Sequence, residues 1–279
     1  VSSAGRVADG VDAALEWSIG GSFTRVGSAV RRRLDHWDSL EGTDLTGRVI
    51  VITGATSGLG LEAARSFARM GATLTLIGRN PSKLASTCAE LRASTGNTHI
   101  HELVADTGDL AALQRAATQL RVLYPQIHVL IHNAGALDDV RKESPEGTEL
   151  TVASQVVGPV LLTELLLPAL RAAKGARVLW VSSGGMYSEP LSVAKLEMTP
   201  ADYDGVKAYA RAKRAQVTLT RDVRRAPARR RHRGARHAPG LGRHAGGGAL
   251  AAHVPARGGA AAAHAGRGRR HARVAGRER

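Results

Sequence analysis

The 279-residue sequence predicts an α/β protein built on a doubly wound parallel sheet. Three observations carry that prediction. Short runs of β-forming apolar residues alternate with longer stretches of helical periodicity from about residue 48 to residue 222. The strand runs are largely apolar, which is the pattern of strands covered on both faces. A glycine-rich string stands between the first run and the first helix, where a right-handed βαβ unit turns back over its sheet.

The elements follow in order. Val49-Ile50-Val51-Ile52 is the first strand and ends at Gly54. Leu61, Ala64, Phe67 and Ala68 mark one face of the helix behind it. Thr73-Leu74-Thr75-Leu76-Ile77 is the second strand, followed by helix to about Ala93. A third strand is expected near residues 100–104, a helix at about 109–123, and a fourth strand at Val129-Leu130-Ile131. Residues 146–173 read as one long helix with Pro168 near its end, residues 178–181 as the fifth strand, and about 206–222 as the last helix.

Three segments result: 1–44, 45–222 and 223–279. In the first, Val7, Val11, Leu15, Ile19, Phe23, Val26, Val30, Leu34 and Trp37 recur at spacings of three and four, broken at Gly20-Gly21. Arg25 and Arg31-Arg32-Arg33 lie opposite that stripe. Such a helix fits a membrane surface; packing on its own domain is the plainer reading and is preferred. The formal net charge of +15 is confined to the third segment, whose 15 Arg, absence of Lys and single acid, Glu278, give +14. The remainder is nearly neutral, so its charge does not indicate a nucleic-acid surface. The single cysteine, Cys88, excludes an internal disulfide and a cysteine metal cluster, and no metal site is expected. Its helical spacing with Leu84 and Leu91 places it in the core. A reducing cytoplasm fits. No uninterrupted apolar run reaches the roughly 18–20 residues of a membrane span, and no signal peptide is recognisable at the N-terminus.

Thr53-Gly54-Ala55-Thr56-Ser57-Gly58-Leu59-Gly60 is the string between first strand and first helix. A dinucleotide's diphosphate must approach amides at a helix N-terminus, and glycines permit that turn and that approach. Asp106-Thr107 follows the third strand, Asn133-Ala134-Gly135 the fourth, and Ser182-Ser183 the fifth, while Tyr209 and Lys213 stand four apart in the last helix. In this order and spacing, residues 45–222 resemble the short-chain dehydrogenase/reductase family with its Rossmann-like fold. The resemblance implies an oxidoreductase that binds a nicotinamide dinucleotide through Gly54, Thr56, Ser57, Gly58, Leu59, Gly60, Asp106, Thr107, Asn133, Ala134, Gly135, Tyr209 and Lys213. It implies Ser183, Tyr209 and Lys213 as catalytic groups acting on a small carbonyl or alcohol substrate.

Physical chemistry supports these roles. Residues i and i+4 share a helix face, so the Lys213 ammonium is expected beside the Tyr209 phenol, lowering its pKa from about 10. The phenol then exchanges a proton with the substrate oxygen, and Ser183 holds that oxygen as charge develops. Tyr203 and Lys207 repeat the same spacing, but Pro200 and Gly205 flank them and mark a loop. The second strand ends in Gly78-Arg79-Asn80, with no carboxylate for a ribose 2′-hydroxyl and with Arg79 able to hold a 2′-phosphate. NADP(H) is therefore expected over NAD(H). Gln155 stands where the family has a catalytic Asn, a longer amide that shifts the local geometry.

After Asp222 the composition turns to Arg, Ala, Gly, His and Pro with no aromatic residue, which buries no core and reads as a disordered basic tail. The family continues with a sixth strand and a Pro-Gly segment. Codons permitted for residues 237–248, read one base later, spell MHPGWADTPGV, so the tail reads as a frameshift near residues 222–224. Strands six and seven are then missing, the sheet order is 3-2-1-4-5, and strand five is an apolar edge. No strand is expected from residues 224–279. The alternatives to an NADP(H)-dependent oxidoreductase are an inactive cofactor-binding remnant and nonspecific nucleic-acid binding through the tail. A homo-oligomer is compatible with the sequence.

Overall fold

A computed structural model of the chain describes residue 40, residues 42–225 and residues 249–251. The N-terminal helical stripe and most of the basic tail lie outside the described residues. The elements are β1 (Val49–Thr53), α1 (Gly58–Arg69), β2 (Thr73–Gly78), α2 (Pro81–Thr95), β3 (Ile100–Val104), α3 (Leu110–Leu123) and β4 (Val129–His132). They continue with α4 (Leu150–Val152), a π-turn (Ala153–Val157), α5 (Gly158–Ala172), β5 (Arg177–Ser183), α6 (Gly205–Arg225) and β6 (Ala249–Ala251). The sheet order is β3-β2-β1-β4-β5-β6, and the first five strands run parallel. This is the Rossmann-like doubly wound architecture that the alternation predicts.

The strands are apolar because β1 is covered twice. Ile50 and Ile52 point to one face, where they pack with Leu74, Leu76, Leu84, Leu91 and Ile100 beneath α1 and α2. Val51 points to the other, among Leu130 of β4 and Leu113, Leu120, Leu162 and Leu166 from α3 and α5. Period-two alternation thus feeds two cores rather than one core and solvent. Cys88 is buried in the first of them, as its spacing predicts, and burial pushes its thiol up to about 11. The apolar helical stretch Leu150–Ala172 is long enough to cross a membrane among the described residues, but most of it is buried inside the protein.

Two expectations are corrected. The long helix over 146–173 begins only at Leu150 and is interrupted by the π-turn. Residues before it form a bridged turn, Glu143 to Glu149, with Gly147 at φ +81°. Glu149 then caps the helix, accepting from the Thr151 and Val152 amides at 2.8 and 3.1 Å. The break follows from Pro159, which has no N–H to give the carbonyl four residues earlier.

The second correction concerns the sheet edge. The tail does supply a strand: β6 pairs antiparallel with β5, setting Val181 opposite Ala251 and Ser183 opposite Ala249. A strand edge offers backbone donors and acceptors to any extended segment, so this pairing needs no apolar periodicity. It is short and antiparallel, and no parallel sixth strand stands in its place among the described residues.

Gly54 ends β1 with φ +69°, and a Cβ there meets the Ala134 backbone at 2.7 Å. Gly147 is also left-handed, but a Cβ there meets nothing within 4 Å. Gly147→Ala is expected to cost about 1–2 kcal/mol from backbone strain alone. Gly54→Ala adds a clash of about 1–3 kcal/mol. Denaturant unfolding of the two variants checks this order; equal losses contradict it.

Candidate active site

The carboxyl ends of β1, β2, β4 and β5 border a cleft of about 600 Å3, the position where open parallel sheets bind ligands. The glycine-rich turn contributes Gly54, Thr56, Ser57, Gly58, Leu59 and Gly60 to its wall. Arg79 follows from β2, Asp106 and Thr107 from β3, and Asn133, Ala134 and Gly135 from β4. Tyr209 and Lys213 come from α6. The fold therefore brings together every residue expected to hold the dinucleotide. Gln155, buried, stands behind this wall, and Ser183, half-buried at the end of β5, is hydrogen-bonded to Tyr209 beside it.

Local structure explains why the turn is receptive. Ser57 is the N-cap of α1, yet its side chain makes no cap bond, and the first turn carries no acid. The helix therefore presents its first amides and the positive end of its dipole without an internal anion. A Cβ at Gly58 meets nothing within 4 Å, so the loop faces open space. At the end of β2, Arg79 and Lys83 both line the cleft with exposed side chains. Arg79 approaches Asp106 to only 3.9 Å, both partly exposed, which is too loose to hold its charge back from a ligand. A row of amides followed by two cations fits a diphosphate and a further phosphate.

Tyr209 lies in the second turn of α6, and Lys213 one turn on, with Nζ 5.4 Å from the phenol ring centroid. Burial pushes the Tyr209 hydroxyl above its ordinary value, while its hydrogen bond with Ser183 acts in the opposite direction. The expected lowering by Lys213 is thus corrected: desolvation is the larger influence on this phenol. Lys213 is itself buried, 2% exposed, and donates to the Val181 carbonyl at 2.9 Å. Desolvation lowers its pKa to about 8. Ser183 also accepts from the Gly185 amide at 3.2 Å, which orients its hydroxyl oxygen.

Tyr203 lies just before α6, as its flanking Pro and Gly indicate. Its hydroxyl donates to the Asp138 carbonyl at 3.1 Å and sits 3.4 Å from Thr151 Oγ1. Gln155 is on the π-turn, 1% exposed, with Nε2 donating to the Ala136 carbonyl at 2.7 Å. Sequence reasoning missed Lys83, which lies in the first turn of α2 just past the Asn80 cap, four residues after Arg79. It also missed Asp138, Thr151 and Ser154, which line the cleft. These lie on a loop and a broken helix whose path only tertiary contacts set.

The family model described as short chain dehydrogenase matches residues 48–241. Human dehydrogenase/reductase SDR family member 12 is 32% identical over 176 residues, which are 63% of this chain and 55% of that protein. Mouse polyprenol dehydrogenase is 34% identical over 183 residues, 64% of this chain and 54% of that protein. The chain thus spans little more than half the length of these relatives. A short chain dehydrogenase from Escherichia coli CFT073, complexed with NADPH, superposes with a TM-score of 0.55 at 27% identity, covering 67% of this chain and 75% of that one. A structure from Mycobacterium paratuberculosis gives a TM-score of 0.60 at 28% identity, covering 68% and 66%. Sequence match and shared fold extend over the same segment that builds the cleft, and the chain belongs to the short chain dehydrogenase family.

Proposed function

We propose that the chain is an NADP(H)-dependent oxidoreductase acting on a carbonyl or alcohol. The observation that carries this reading is the Tyr209–Ser183 hydrogen bond with Lys213 beneath it, on the wall of a cleft whose other end holds open amides and two cations. The α1 amides would hold the diphosphate, Arg79 and Lys83 the 2′-phosphate, and Asp106-Thr107 the adenine side. Bound there, the nicotinamide supplies or accepts the hydride. In reduction Tyr209 gives its proton to the substrate oxygen, and in oxidation it takes that proton back. The Ser183 hydroxyl holds the same oxygen as it gains charge. Lys213, still protonated near neutral pH, stabilises the phenolate that remains.

The cofactor reading is tested by titrating the chain with NADPH and NADH and following nicotinamide fluorescence. NADPH is expected to bind about 10–150-fold more tightly, the worth of a charge-assisted contact of roughly 1.5–3 kcal/mol. Arg79→Ala should remove most of that margin and Lys83→Ala part of it. Equal affinity of the parent chain for both cofactors overturns the assignment.

The choice between the two tyrosines is tested with a panel of ketones and NADPH consumption as readout. Tyr209→Phe should abolish turnover while leaving NADPH binding in place; Tyr203→Phe should retain turnover. The reverse pattern would falsify the role given to Tyr209. Cofactor binding with no turnover in the parent chain would instead identify an inactive remnant.

Lys213 also sets a stability dependence. Its folded pKa of about 8 lies below the ordinary value of 10.5. The folded chain therefore binds fewer protons than the unfolded chain between these values. The associated stability is present in full above the upper pKa and is lost as pH falls through about 8. It amounts to about 3 kcal/mol. Lys213→Met should raise the unfolding midpoint at pH 7 and remove this part of the pH dependence. A lower midpoint for the variant at pH 7 contradicts the sign.

A further inference from the structure

We infer that Gln216 is a positioning residue for this site, acting through Gln155 and the π-turn rather than on a ligand. It stands three residues after Lys213 on α6, 1% exposed, and its Nε2 donates to the backbone carbonyl of Gln155 at 2.7 Å. The orientation of its amide follows from chemistry: a carbonyl only accepts, so the NH2 must face it.

The carbonyl has a reason to need this donor. In a regular helix it would accept from the amide four residues later, but that residue is Pro159, which has none. The ladder opens into the π-turn Ala153–Val157, whose end is closed by the Gly158 amide on Ala153. A buried carbonyl without a partner is costly. The side chain from α6 meets that need across 61 residues of sequence.

The bond also connects two parts of the site. The Gln155 side chain donates to Ala136, in the loop that follows Asn133-Ala134-Gly135. A Cβ placed on Gly135 meets Gln155 Oε1 at 3.0 Å and Lys213 Nζ at 3.1 Å. Gly135 and Lys213 line the cleft, and Gln155 backs them. Gln216 thus joins the helix of Tyr209 and Lys213 to the turn that sets Gln155 against Gly135. Val152, Val156, Ala212 and Ala215 pack around the same junction, so the bond lies in an apolar seam where water does not replace it.

The effect on the site rests on the dinucleotide reading of the cleft; the bond itself does not. Gln216→Met keeps the length of the side chain and removes the donor. At a temperature where the variant is fully folded by circular dichroism, its Kd for NADPH should rise about five- to tenfold. Amide exchange in peptides spanning residues 150–162 should quicken. In a Pro159→Ala background the helix regains a local N–H, so Gln216→Met should lower the unfolding midpoint less than it does alone. A folded Gln216→Met with parental Kd and exchange overturns the proposal, as does an equal midpoint loss in both backgrounds. If the parent chain fails to bind NADPH, the functional reading falls, and the exchange and midpoint comparisons still decide the role of Gln216. If Gln216→Met does not fold, Gln216→Asn, whose donor falls short of the carbonyl, is read by the same measurements with the same outcomes.

Discussion

Thr53 and Asn133 tie the ends of the two central strands, and the cleft depends on that tie. Beyond the β1–β4 ladder, Thr53 Oγ1 accepts from the Asn133 and Ala134 amides at 3.1 Å each and donates to the Ile131 carbonyl at 3.4 Å. Asn133 Nδ2 returns two bonds, to the Thr53 and Gly54 carbonyls at 3.1 and 2.9 Å. The Thr53 hydroxyl lies outside the ladder and is buried, Thr53 being 1% exposed, so these bonds satisfy a polar group that would otherwise be buried alone. The tie holds the glycine-rich turn against the loop after β4. A side chain at Gly54 or Gly60 would enter the gap between them.

From that junction the site spreads in two directions with different electrostatics. Toward β2 and α2 it is exposed and cationic, suited to phosphate. Toward β5 and α6 it is buried, and its polar groups are few and only partly satisfied. Lys213 gives one hydrogen bond to the Val181 carbonyl, and the buried Oε1 atoms of Gln155 and Gln216 have no hydrogen-bond partner. His132, just before Asn133, is buried against Trp180 with ring centroids 4.6 Å apart, and desolvation lowers its pKa to about 3. It is neutral in ordinary conditions and belongs to the packing, held by Thr163 Oγ1 at 2.7 Å. Under-satisfied groups gather where chemistry is proposed, at a cost in stability that the two apolar cores must offset.

β5 carries Ser183 and the carbonyl that holds Lys213, so its edge matters to the site. The antiparallel β6 covers only three residues of it, Val181 to Ser183. Backbone pairing alone supplies a ladder of that length, whereas a parallel strand with its crossover helix would also bring a second apolar layer. The match to the family model runs to residue 241, past the end of α6, while the curated relatives extend to nearly twice the matched length.

The sequence by itself determined the alternation of strands and helices, the order of the parallel sheet and many of the residues that line the cleft. Periodicity and glycine spacing are local properties, and a parallel sheet with right-handed crossovers leaves few ways to arrange them. Tertiary structure decided the rest. The Gln155 carbonyl, left without the amide of Pro159, finds its donor in Gln216, 61 residues away in sequence. Lys83 joins Arg79 only because α2 starts at the cleft. The Tyr209 pKa is raised rather than lowered because burial, which no spacing encodes, outweighs the effect of its neighbours. β6 pairs where composition predicts no strand, because the edge of β5 supplies the partner that the segment lacks in itself.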